Sequence, residues 1–525
     1  MVGRLAIDFG NANTVVAVWD DQQHQAKPVK LEPYSRMQLF QEEQVPLIPS
    51  YIHYKPDGTY LIGDEVLQAN LTVHDHTFRQ LKTSFDTVHA VQIGRTKVTA
   101  RQAAEDFLTA IIQKAIKLLA IRKDEPVALT VPVDAFEKYS KWLTDICTRA
   151  GLKNLRFIDE PAAAALSFGQ TVRQKDDYLV FDFGAGSLDI AVVRFELSEQ
   201  DKRASNCKVL GKKSMQLGGN TIDDWLVQYF FNKHQMNPQG EQAKKLAWLL
   251  AGECRAAKEK LSFVDTADIA VTDYETGKAL TLEMTRQELV DLLEEPPHEF
   301  FLKVDRTIRG AEQMAQFAYG FKREKLSGVF MVGGTSIIPE LQKHLRRSFG
   351  KDRVAVQRPL DSIATGAAAF AAGATLYDHI QHDYAIEVHN LQTKKTQMKL
   401  IVHRGEKYPS KEPVDTETVK AVIYGQTKFQ IYIYEISKEE VEPGSEFIDL
   451  AQVVHRDDQM LRYVCLNKNH PTLLQTVRPI MHNHPALQID FSIDENKHLV
   501  IDTFRFETDE LKVPDMKQVV VVKLN

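Results

Sequence analysis

The sequence predicts an α/β region built from two duplicated halves, followed by a β-rich region. Strand-like and helix-like segments alternate through residues 1–376, as they do in α/β domains. The segment DFG occurs between apolar runs at residues 8–10 and again at residues 182–184. A repeat at that distance indicates two similar subdomains that face each other across a cleft, where ligands usually bind beyond the strand ends.

From residue 385 onwards, alternation of apolar and polar residues predicts strands, and no long helical pattern follows residue 378. We therefore expect a domain at residues 1–376, a short polar linker at 377–384 and a β-rich domain at 385–525. The chain of 525 residues is too long for one core, because a domain usually has about 100–200 residues.

The individual elements of the first domain follow from local patterns. Strands are expected at residues 4–9, 14–20, 126–131, 178–183, 189–195 and 328–332. Amphipathic periodicity predicts helices at residues 101–120, 135–150, 243–261 and 340–349, and small residues predict a packed helix near 364–374. Thr99 is a suitable N-cap for the first helix, and Gly151 and Gly350 are natural stops for the second and fourth.

The composition disfavours several classes of protein. The net charge is -6 at pH 7, so there is no global basic field and we expect no nucleic-acid partner. No apolar stretch reaches the roughly 20 residues of a membrane span, and the N-terminus lacks a signal-peptide pattern. The four cysteines have no paired spacing, which predicts reduced thiols in a cytoplasmic protein.

The two DFG turns combine a carboxylate with small residues. Asp8 and Asp182 each lie near the end of a predicted strand, and two carboxylates that face one cleft suit a hydrated Mg²⁺. Gly10, Gly184 and Gly186 allow the backbone to approach phosphate oxygens and present N–H groups to them. One such turn alone is also explained by an ordinary hairpin, but the pair favours a phosphate site.

Three further segments support a ligand site. In FIDEPAAAALSFG (157–169), Glu160 precedes Pro161 at a strand-to-helix corner. In VFMVGGTSIIPEL (329–341), a buried strand ends in Gly333 and Gly334, which allow a flat ring or sugar to lie against the backbone. DSIATGAAAFAAG (361–373) adds a small-residue helix. Each segment alone is also consistent with a generic strand–turn–helix unit.

The chain resembles the actin-like ATPase fold, and within it the heat shock protein 70 family of DnaK-type chaperones. The resemblance rests on the order and spacing of AIDFGNANT, FIDEPAAAAL, VFDFGAGSLD, LGGNTID, VFMVGGTSIIP and SIATGAAAFAAG. It extends to MKLIVHRGEKYP, FQIYIYEI and LQIDFSIDENKHLVIDTFRF, which resemble strands of the family's peptide-binding β-sandwich. The fold it implies is an actin-like ATPase domain with two duplicated subdomains around a nucleotide cleft, then a β-sandwich, here expected without the family's C-terminal helical lid.

The resemblance also implies residue roles, with ATP or ADP and Mg²⁺ as ligands. The implied catalytic residues are Asp8, Lys82, Glu160, Asp182 and Ser187, of which Asp8 and Asp182 would hold Mg²⁺ through water. The implied nucleotide-binding residues are Gly10, Asn11, Ala12, Asn13, Gly184, Ala185, Gly186, Gly218, Gly219, Arg255, Lys258, Ser262, Gly333, Gly334, Thr335 and Ile337. Lys82, in FRQLKTSF, matches the family's catalytic lysine with an offset of one residue, and an exposed helix lysine is the alternative there.

The chain departs from the family pattern at several positions. Two threonines usually follow the first glycine, where this chain has Asn11 and Ala12. Because a hydrogen bond to a charged group contributes about 1.5–3 kcal/mol, the missing hydroxyl at Ala12 is expected to weaken phosphate binding or turnover roughly tenfold. Two arginines usually enclose the adenine, where this chain has Glu259 and Ile337. Weaker binding of the nucleoside is therefore expected, unless Arg255 or an aromatic residue replaces them.

Segments that couple the family's domains also differ. Pro132 matches a proline of the family, but Ser140 stands in place of its partner arginine, and LYDHIQHDY replaces an acidic, leucine-rich linker. Coupling between sites requires different contacts in two states. Weak coupling, or coupling through other contacts, is therefore expected.

The resemblance implies an ATPase and molecular chaperone that acts in protein folding and the stress response in the cytoplasm. Its partners would be unfolded or extended polypeptides, a J-domain co-chaperone and a nucleotide-exchange factor, with neither nucleic acid nor membrane. One alternative is a nucleotide-binding but catalytically weak or inactive co-chaperone or adaptor. Another is a sugar kinase or filament former, which the β-rich third of the chain disfavours.

Two smaller features leave alternatives open. His455, His470, His482 and His484 are either metal ligands or surface histidines, and the missing cysteine or carboxylate frame favours the second. Met398, Ile401 and Tyr408 either line a groove for an extended peptide or belong to the core, which is favoured for each of them alone.

Overall fold

The computed structural model describes residues 4–84, 87, 89–133, 137–169, 172, 175–197, 205–273, 277–374, 376–377, 380, 382–390, 395–410, 412–421, 423–437, 447–448, 462–468, 471–480, 485–494, 497–506 and 512–524. The chain divides into two compact units. One consists of Met1–Val133 and Leu143–Leu376, and the other of Asp134–Trp142 and Tyr377–Asn525. His455, His470, His482 and His484 lie outside the described residues.

The helices of the described residues include all five that the sequence predicts, with bounds that differ by at most three residues. The helices are α1 (Asp64–Gln68), α2 (Leu81–Ser84), α3 (Ala100–Leu119), α4 (Glu137–Arg149), α5 (Glu160–Phe168), α6 (Gly219–Lys233), α7 (Glu241–Leu261), α8 (Arg286–Glu294), α9 (Phe300–Tyr319), α10 (Pro339–Phe349) and α11 (Ser362–Ala371). In the part of the chain that the structure covers, no helix has the length and apolar character needed to cross a membrane.

The described strands up to residue 377 include the six predicted ones and others that were not predicted. They are β1 (Leu5–Phe9), β2 (Asn13–Asp20), β3 (Gln25–Pro28), β4 (Arg36–Phe40), β5 (Glu43–Pro49), β6 (Ile52–Tyr54), β7 (Tyr60–Ile62), β8 (Thr77–Phe78), β9 (Ala90–Ile93), β10 (Thr96–Thr99), β11 (Val127–Val131), β12 (Leu155–Asp159), β13 (Asp177–Phe183), β14 (Leu188–Leu197), β15 (Ser205–Met215), β16 (Thr266–Thr272), β17 (Ala279–Thr285), β18 (Leu326–Val332), β19 (Val354–Val356) and β20 (Leu376–Tyr377).

Two central sheets of the first unit repeat one arrangement. The first has the order β12-β11-β1-β2-β5-β4, and the second has the order β19-β18-β13-β14-β15-β20. In each, an antiparallel hairpin, β1–β2 or β13–β14, lies beside two parallel strands. Both DFG segments therefore occupy equivalent places, at the turn of the hairpin. The hairpins' first strands are buried throughout, as expected for strands covered on both faces.

Local contacts fix where helix α3 begins and how closely α5 and α11 pack. The Thr99 side chain accepts a hydrogen bond from the Gln102 N–H at 3.1 Å, which confirms the predicted N-cap of α3. The small residues of α5 and α11 allow close packing: a Cβ atom on Gly366 would overlap the carbonyl oxygen of Ala163. This contact holds α5, whose first residue is Glu160.

The second unit contains strands in its described residues beyond 377. They are β21 (Asp383–Asn390), β22 (Lys395–Val402), β23 (Asp415–Lys420), β24 (Gln426–Ile431), β25 (Ile433–Ser437), β26 (Phe447–Ile448), β27 (Arg462–Cys465), β28 (Thr472–Ile480), β29 (Pro485–Ile493), β30 (His498–Phe506) and β31 (Lys512–Lys523). One sheet has the order β26-β22-β21-β25-β27 and another the order β23-β29-β30-β31, while β24 pairs with β28. Apolar side chains from these sheets share one core, as in packed β-sheets.

The groove residues considered from the sequence belong to the core of this unit. Ile401 is buried with Tyr384 and Phe491, and Met398 is buried in a smaller cluster with Leu400. Tyr408 is partly buried against the larger core. The core interpretation is therefore confirmed for Met398 and Ile401.

Candidate functional site

The β1–β2 and β13–β14 turns face one cleft in the first unit. The cleft has a volume of about 250 Å³, many times the roughly 10–15 Å³ that one water molecule needs. The predicted site residues on its lining are Asp8, Gly10, Asn11, Ala12, Asn13, Lys82, Glu160, Asp182, Gly184, Ala185, Gly186, Ser187, Gly219, Arg255, Lys258, Ser262, Gly333, Gly334, Thr335 and Ile337. The remaining predicted residue, Gly218, packs behind the second turn, because a Cβ atom there would overlap the Ala185 carbonyl group.

Three buried carboxylates meet beside the second turn. Glu160 begins α5 directly after β12, as predicted for a corner before Pro161. Asp182 and Asp189 lie opposite each other on β13 and β14, and one ligand atom from each of Glu160, Asp182 and Asp189 lies within 4.8 Å of the others. Hard carboxylate oxygens of this kind fit Mg²⁺.

Burial changes the titration of both DFG carboxylates. The pKa of Asp8 is raised to about 6 by burial and then by the charge of Glu160, while a hydrogen bond from Thr130 lowers it. Burial also raises the pKa of Asp182 well above its usual value, together with the charges of Glu160, Asp189 and Asp8. Crowded carboxylates are unfavourable when ionised, and a bound cation offsets this. The donor set of the cleft therefore fits a divalent cation.

Lys82 lies in α2 and forms an ion pair with Glu160. Both side chains are buried, so the alternative of an exposed helix lysine is wrong. The ammonium donates a hydrogen bond to the Glu160 carboxylate, which places a cation next to the carboxylate cluster. A positive charge at this point is suited to polar ligands with negative charge.

In the first turn, the Asn11 side chain contacts both α2 and the second turn. Its Oδ1 atom accepts hydrogen bonds from the N–H and the hydroxyl group of Thr83, each at 3.2 Å. Its amide nitrogen lies against the second turn, because a Cβ atom on Gly186 would overlap that nitrogen. The Asn11 side chain thus fills the space between the two turns.

In the second turn, hydrogen bonds within the turn fix a tight conformation. The Gly184 N–H donates to the Ser187 carbonyl at 3.0 Å, and the Ser187 Oγ donates to Asp189 at 2.5 Å. The Gly219 N–H, which begins α6, donates to the Gly184 carbonyl at 3.1 Å. The N-terminus of α6 therefore points at the second turn, an arrangement that favours bound anions.

The turn after β18 packs on the second DFG turn. Gly333 has φ of 79°, a conformation that favours glycine, and a Cβ atom there would overlap the Phe183 carbonyl group. The Thr335 hydroxyl donates to the Gly184 carbonyl at 2.8 Å. Gly333 and the short 3-10 helix that follows it, Gly334–Ile337, therefore lie on the cleft lining.

Basic residues of α7 line the cleft beside the start of α6, where Lys258 Nζ donates to the Gly219 carbonyl at 2.7 Å. Lys258 Nζ lies 2.6 Å from Asp223 Oδ1, and burial lowers the pKa of Lys258. The Arg255 guanidinium donates to Asp223 at 3.1 Å, to the Tyr51 hydroxyl at 3.1 Å and to Asn220 at 3.0 Å. These bonds fix the orientation of the guanidinium at the edge of the cleft.

Some lining residues were not predicted from the sequence. Asp189 had a usable signal, since the turn length of the hairpin places it opposite Asp182. The hairpin of β4 and β5 contributes Arg36, Gln38, Leu39, Phe40 and Leu47, and the end of α7 contributes Phe263. Their position depends on tertiary packing, for which no local pattern exists.

Comparisons with known proteins match the chain to one family. The model of a family described as Hsp70 protein matches residues 4–450. The chain is 26% identical over 392 residues to the chaperone protein DnaK of Thermoplasma volcanium, an alignment that covers 73% of this chain and 60% of that protein. It is 25% identical over 448 residues to the chaperone protein DnaK of Thermosipho africanus, covering 82% of this chain and 69% of that protein. The chain thus spans less than two thirds of the length of the first relative.

Proposed function

Because the chain belongs to the Hsp70 family, we propose that it is an ATP-dependent molecular chaperone of the DnaK type. It binds ATP with Mg²⁺ in the cleft, hydrolyses ATP slowly to ADP and phosphate, and binds extended polypeptides through its β-domain. The observation that carries the proposal is that both DFG turns, Glu160 and Lys82 line one cleft.

Hydrolysis depends mainly on positioning and on electrostatic stabilisation of an in-line attack by water. When bound, Mg²⁺ supplies positive charge to the phosphate oxygens. Asp8 and Asp182 hold its water shell from the two halves of the cleft. Glu160 orients the attacking water and Lys82 adds positive charge, while the Ser187 hydroxyl contacts the phosphate end of the nucleotide.

The nucleotide lies along backbone of both halves. The phosphates contact the first turn at Gly10, Asn11, Ala12 and Asn13, and the second turn at Gly184, Ala185 and Gly186, with Gly219 at the start of α6. The nucleoside lies against Gly333, Gly334, Thr335 and Ile337 and against the α7 residues Arg255, Lys258 and Ser262. The N-terminus of α6 and the cleft volume support this placement.

Polypeptide clients bind to the β-domain through exposed apolar side chains. Ile423 and Tyr424, next to β24, are 65% and 78% exposed, although such residues are usually buried. An extended peptide gains affinity from main-chain hydrogen bonds and from apolar contacts of this kind. A J-domain co-chaperone, a nucleotide-exchange factor and action in the cytoplasm during protein folding and stress are parts of the same proposal.

A second candidate function is a nucleotide-binding adaptor or co-chaperone with weak or absent hydrolysis. It is favoured by three residues on the cleft lining. Ala12 lacks the hydroxyl group of the family's threonine, and Glu259 and Ile337 lack the family's guanidinium groups. These changes reduce the contacts that distinguish the transition state from bound ATP.

A single-turnover assay distinguishes the two functions. The full chain, in excess over radiolabelled ATP and Mg²⁺, is incubated with and without an unfolded peptide, and ADP is separated over time. We expect slow first-order formation of ADP that the peptide accelerates. Binding of Mg-ATP without hydrolysis would favour the adaptor, and absence of binding would contradict both functions.

A further inference from the structure

We propose that Leu39, Phe40 and Phe263 form an apolar clamp that holds the nucleobase of a bound nucleoside phosphate. This inference rests on the proposed function, since it assigns the base-binding part of the same cleft. The clamp combines residues of the β4–β5 hairpin with a residue that follows the end of α7.

The β4–β5 hairpin brings apolar side chains to the mouth of the cleft. Leu39 and Phe40 come from the end of β4 and line the cleft, together with Leu47 from β5. Leu39 is 61% exposed, although an apolar side chain of this size gains free energy when it leaves water. Because Leu39 is exposed beside a large cavity, we expect its side chain to contact a ligand that fills the cavity.

The β4–β5 hairpin and the loop after β19 line the same cavity. Leu39 and Phe40 of the hairpin and Pro359 and Leu360 of the loop all belong to its lining. The loop is joined to the glycine turn, because the Gly333 N–H donates to the Pro359 carbonyl at 2.8 Å. The cavity beside the hairpin therefore continues to the glycine turn.

Phe263 supplies an aromatic ring from the segment after α7. It follows the C-terminal end of α7, where its N–H donates to the Lys260 carbonyl at 2.9 Å. The ring lines the cleft but is 70% exposed. An exposed aromatic face at the edge of a cavity is well suited to stack on another flat ring.

The nucleobase is the occupant that the surrounding residues favour. The clamp residues line the same cavity as the glycine turns, so a ligand with its phosphates at the turns extends its base towards them. At the two positions where the family has arginines, Glu259 and Ile337 cannot supply cation–π stacking. Aromatic side chains stack on any base, since every base has a π-face.

Titration calorimetry of the full chain with Mg-ADP tests the clamp. Phe263→Ala and Leu39→Ser are each expected to weaken Mg-ADP binding about fivefold to tenfold, because stacking and apolar contact with the base are lost. Phe317→Ala is the matched control, since Phe317 is a 95% exposed phenylalanine on α9 and is not part of the cleft lining. It is expected to bind Mg-ADP as wild type does.

A second variant reports on the base directly. In Phe263→Trp, stacking is retained, so affinity is expected to stay within about twofold of wild type and the added fluorescence is expected to be quenched by Mg-ADP. Mg-tripolyphosphate, which has no base, is expected to cause no quenching. Wild-type affinity in both Phe263→Ala and Leu39→Ser would overturn the clamp alone. Absence of Mg-ADP binding by the wild-type protein would overturn the proposed function and the clamp with it.

Discussion

The two DFG turns occupy equivalent places in two sheets, but their surroundings differ. In the first turn, a Cβ atom on Gly10 would overlap the Asn13 carbonyl group, and the Gly10 carbonyl accepts a hydrogen bond from Ser50 at 2.7 Å. In the second turn, the nearest described atom to a Cβ atom on Gly184 would be the Ser187 carbonyl oxygen at 3.8 Å. The first turn is therefore closed by its own chain at Gly10, whereas the second is open at Gly184, and its Gly186 packs against the Asn11 side chain.

The carboxylates of the two turns also differ in their surroundings. Asp8 accepts a hydrogen bond from the Thr130 hydroxyl at 2.7 Å, so part of its capacity to accept hydrogen bonds is used within the protein. Asp182 instead belongs to the cluster with Glu160 and Asp189. We infer that the two duplicated turns have kept equivalent positions but differ in function. On the proposed function, the second turn would make the main metal and phosphate contacts, and the first would mainly fix the shape of the cleft.

Replacement of the two carboxylates is expected to have the largest effect and to test this division. Asp182→Asn should reduce single-turnover hydrolysis of ATP about a hundredfold or more, because it removes a charge at the centre of the cluster. Asp8→Asn should reduce it only about tenfold. Asp124→Asn is the control, because Asp124 is an exposed residue before β11, and it should leave the rate unchanged. Equal losses of rate in Asp8→Asn and Asp182→Asn would contradict the inferred difference between the two turns.

Alanine at the two equivalent glycines separates folding from binding. Gly10→Ala should lower the free energy of unfolding by about 1–3 kcal/mol, because the methyl group overlaps backbone atoms. Gly184→Ala should change it by less than about 0.5 kcal/mol but weaken Mg-ADP binding, since the methyl group enters the cleft. Urea unfolding and calorimetry measure the two effects. The same loss of stability in both variants would show that the turns are packed alike.

The pH dependence of stability without Mg²⁺ should report the burial of Asp8. Between about pH 4 and pH 6 the folded chain keeps a proton on Asp8 that the unfolded chain has lost. The free energy of unfolding should therefore fall as the pH rises through this range, by on the order of 1–2 kcal/mol. Asp8→Asn should remove this part of the slope in thermal unfolding. An unchanged slope would show that Asp8 is ionised at low pH in the folded protein.

A variant with a hydroxyl group at position 12 should show how much the first turn contributes to phosphate binding or turnover. Ala12→Thr should increase phosphate affinity or turnover severalfold, up to about tenfold, because a hydrogen bond to a charged group is regained. Ala12→Val has nearly the same shape without the hydroxyl and is the matched control. Single-turnover rates at saturating ATP measure the effect. Equal rates for the threonine and valine variants would mean that the first turn makes no direct phosphate contact here.

Local patterns were sufficient for much of the first unit. The apolar run before the first DFG segment was predicted as a strand at residues 4–9 and is Leu5–Phe9, and the Thr99 cap was predicted from its residue type. The corner at Glu160 followed from Pro161, because proline fixes the backbone at the start of a helix. Such features depend on neighbours in the sequence, so one sequence is enough to predict them.

Contacts between distant segments were not predictable in the same way. Lys82 and Glu160 are 78 residues apart, and their ion pair requires α2 and α5 to meet. The β4–β5 hairpin was missed because its strands are short and partly exposed, so the alternation is weak. The position of Phe263 depends on where α7 ends relative to the cleft. The residues that close the candidate site were therefore predicted less well than the turns at its centre.

Calorimetric titration of the full chain with ATP, in the presence and absence of Mg²⁺, tests the two-turn site most directly. We expect one binding site in the wild-type protein whose affinity falls strongly when Mg²⁺ is withheld, and whose Mg²⁺ dependence disappears in Asp182→Asn but persists in Asp124→Asn. Absence of ATP binding, or a Mg²⁺ dependence that Asp182→Asn leaves intact, would contradict the assignment of the cleft as a Mg-nucleotide site dominated by the second turn.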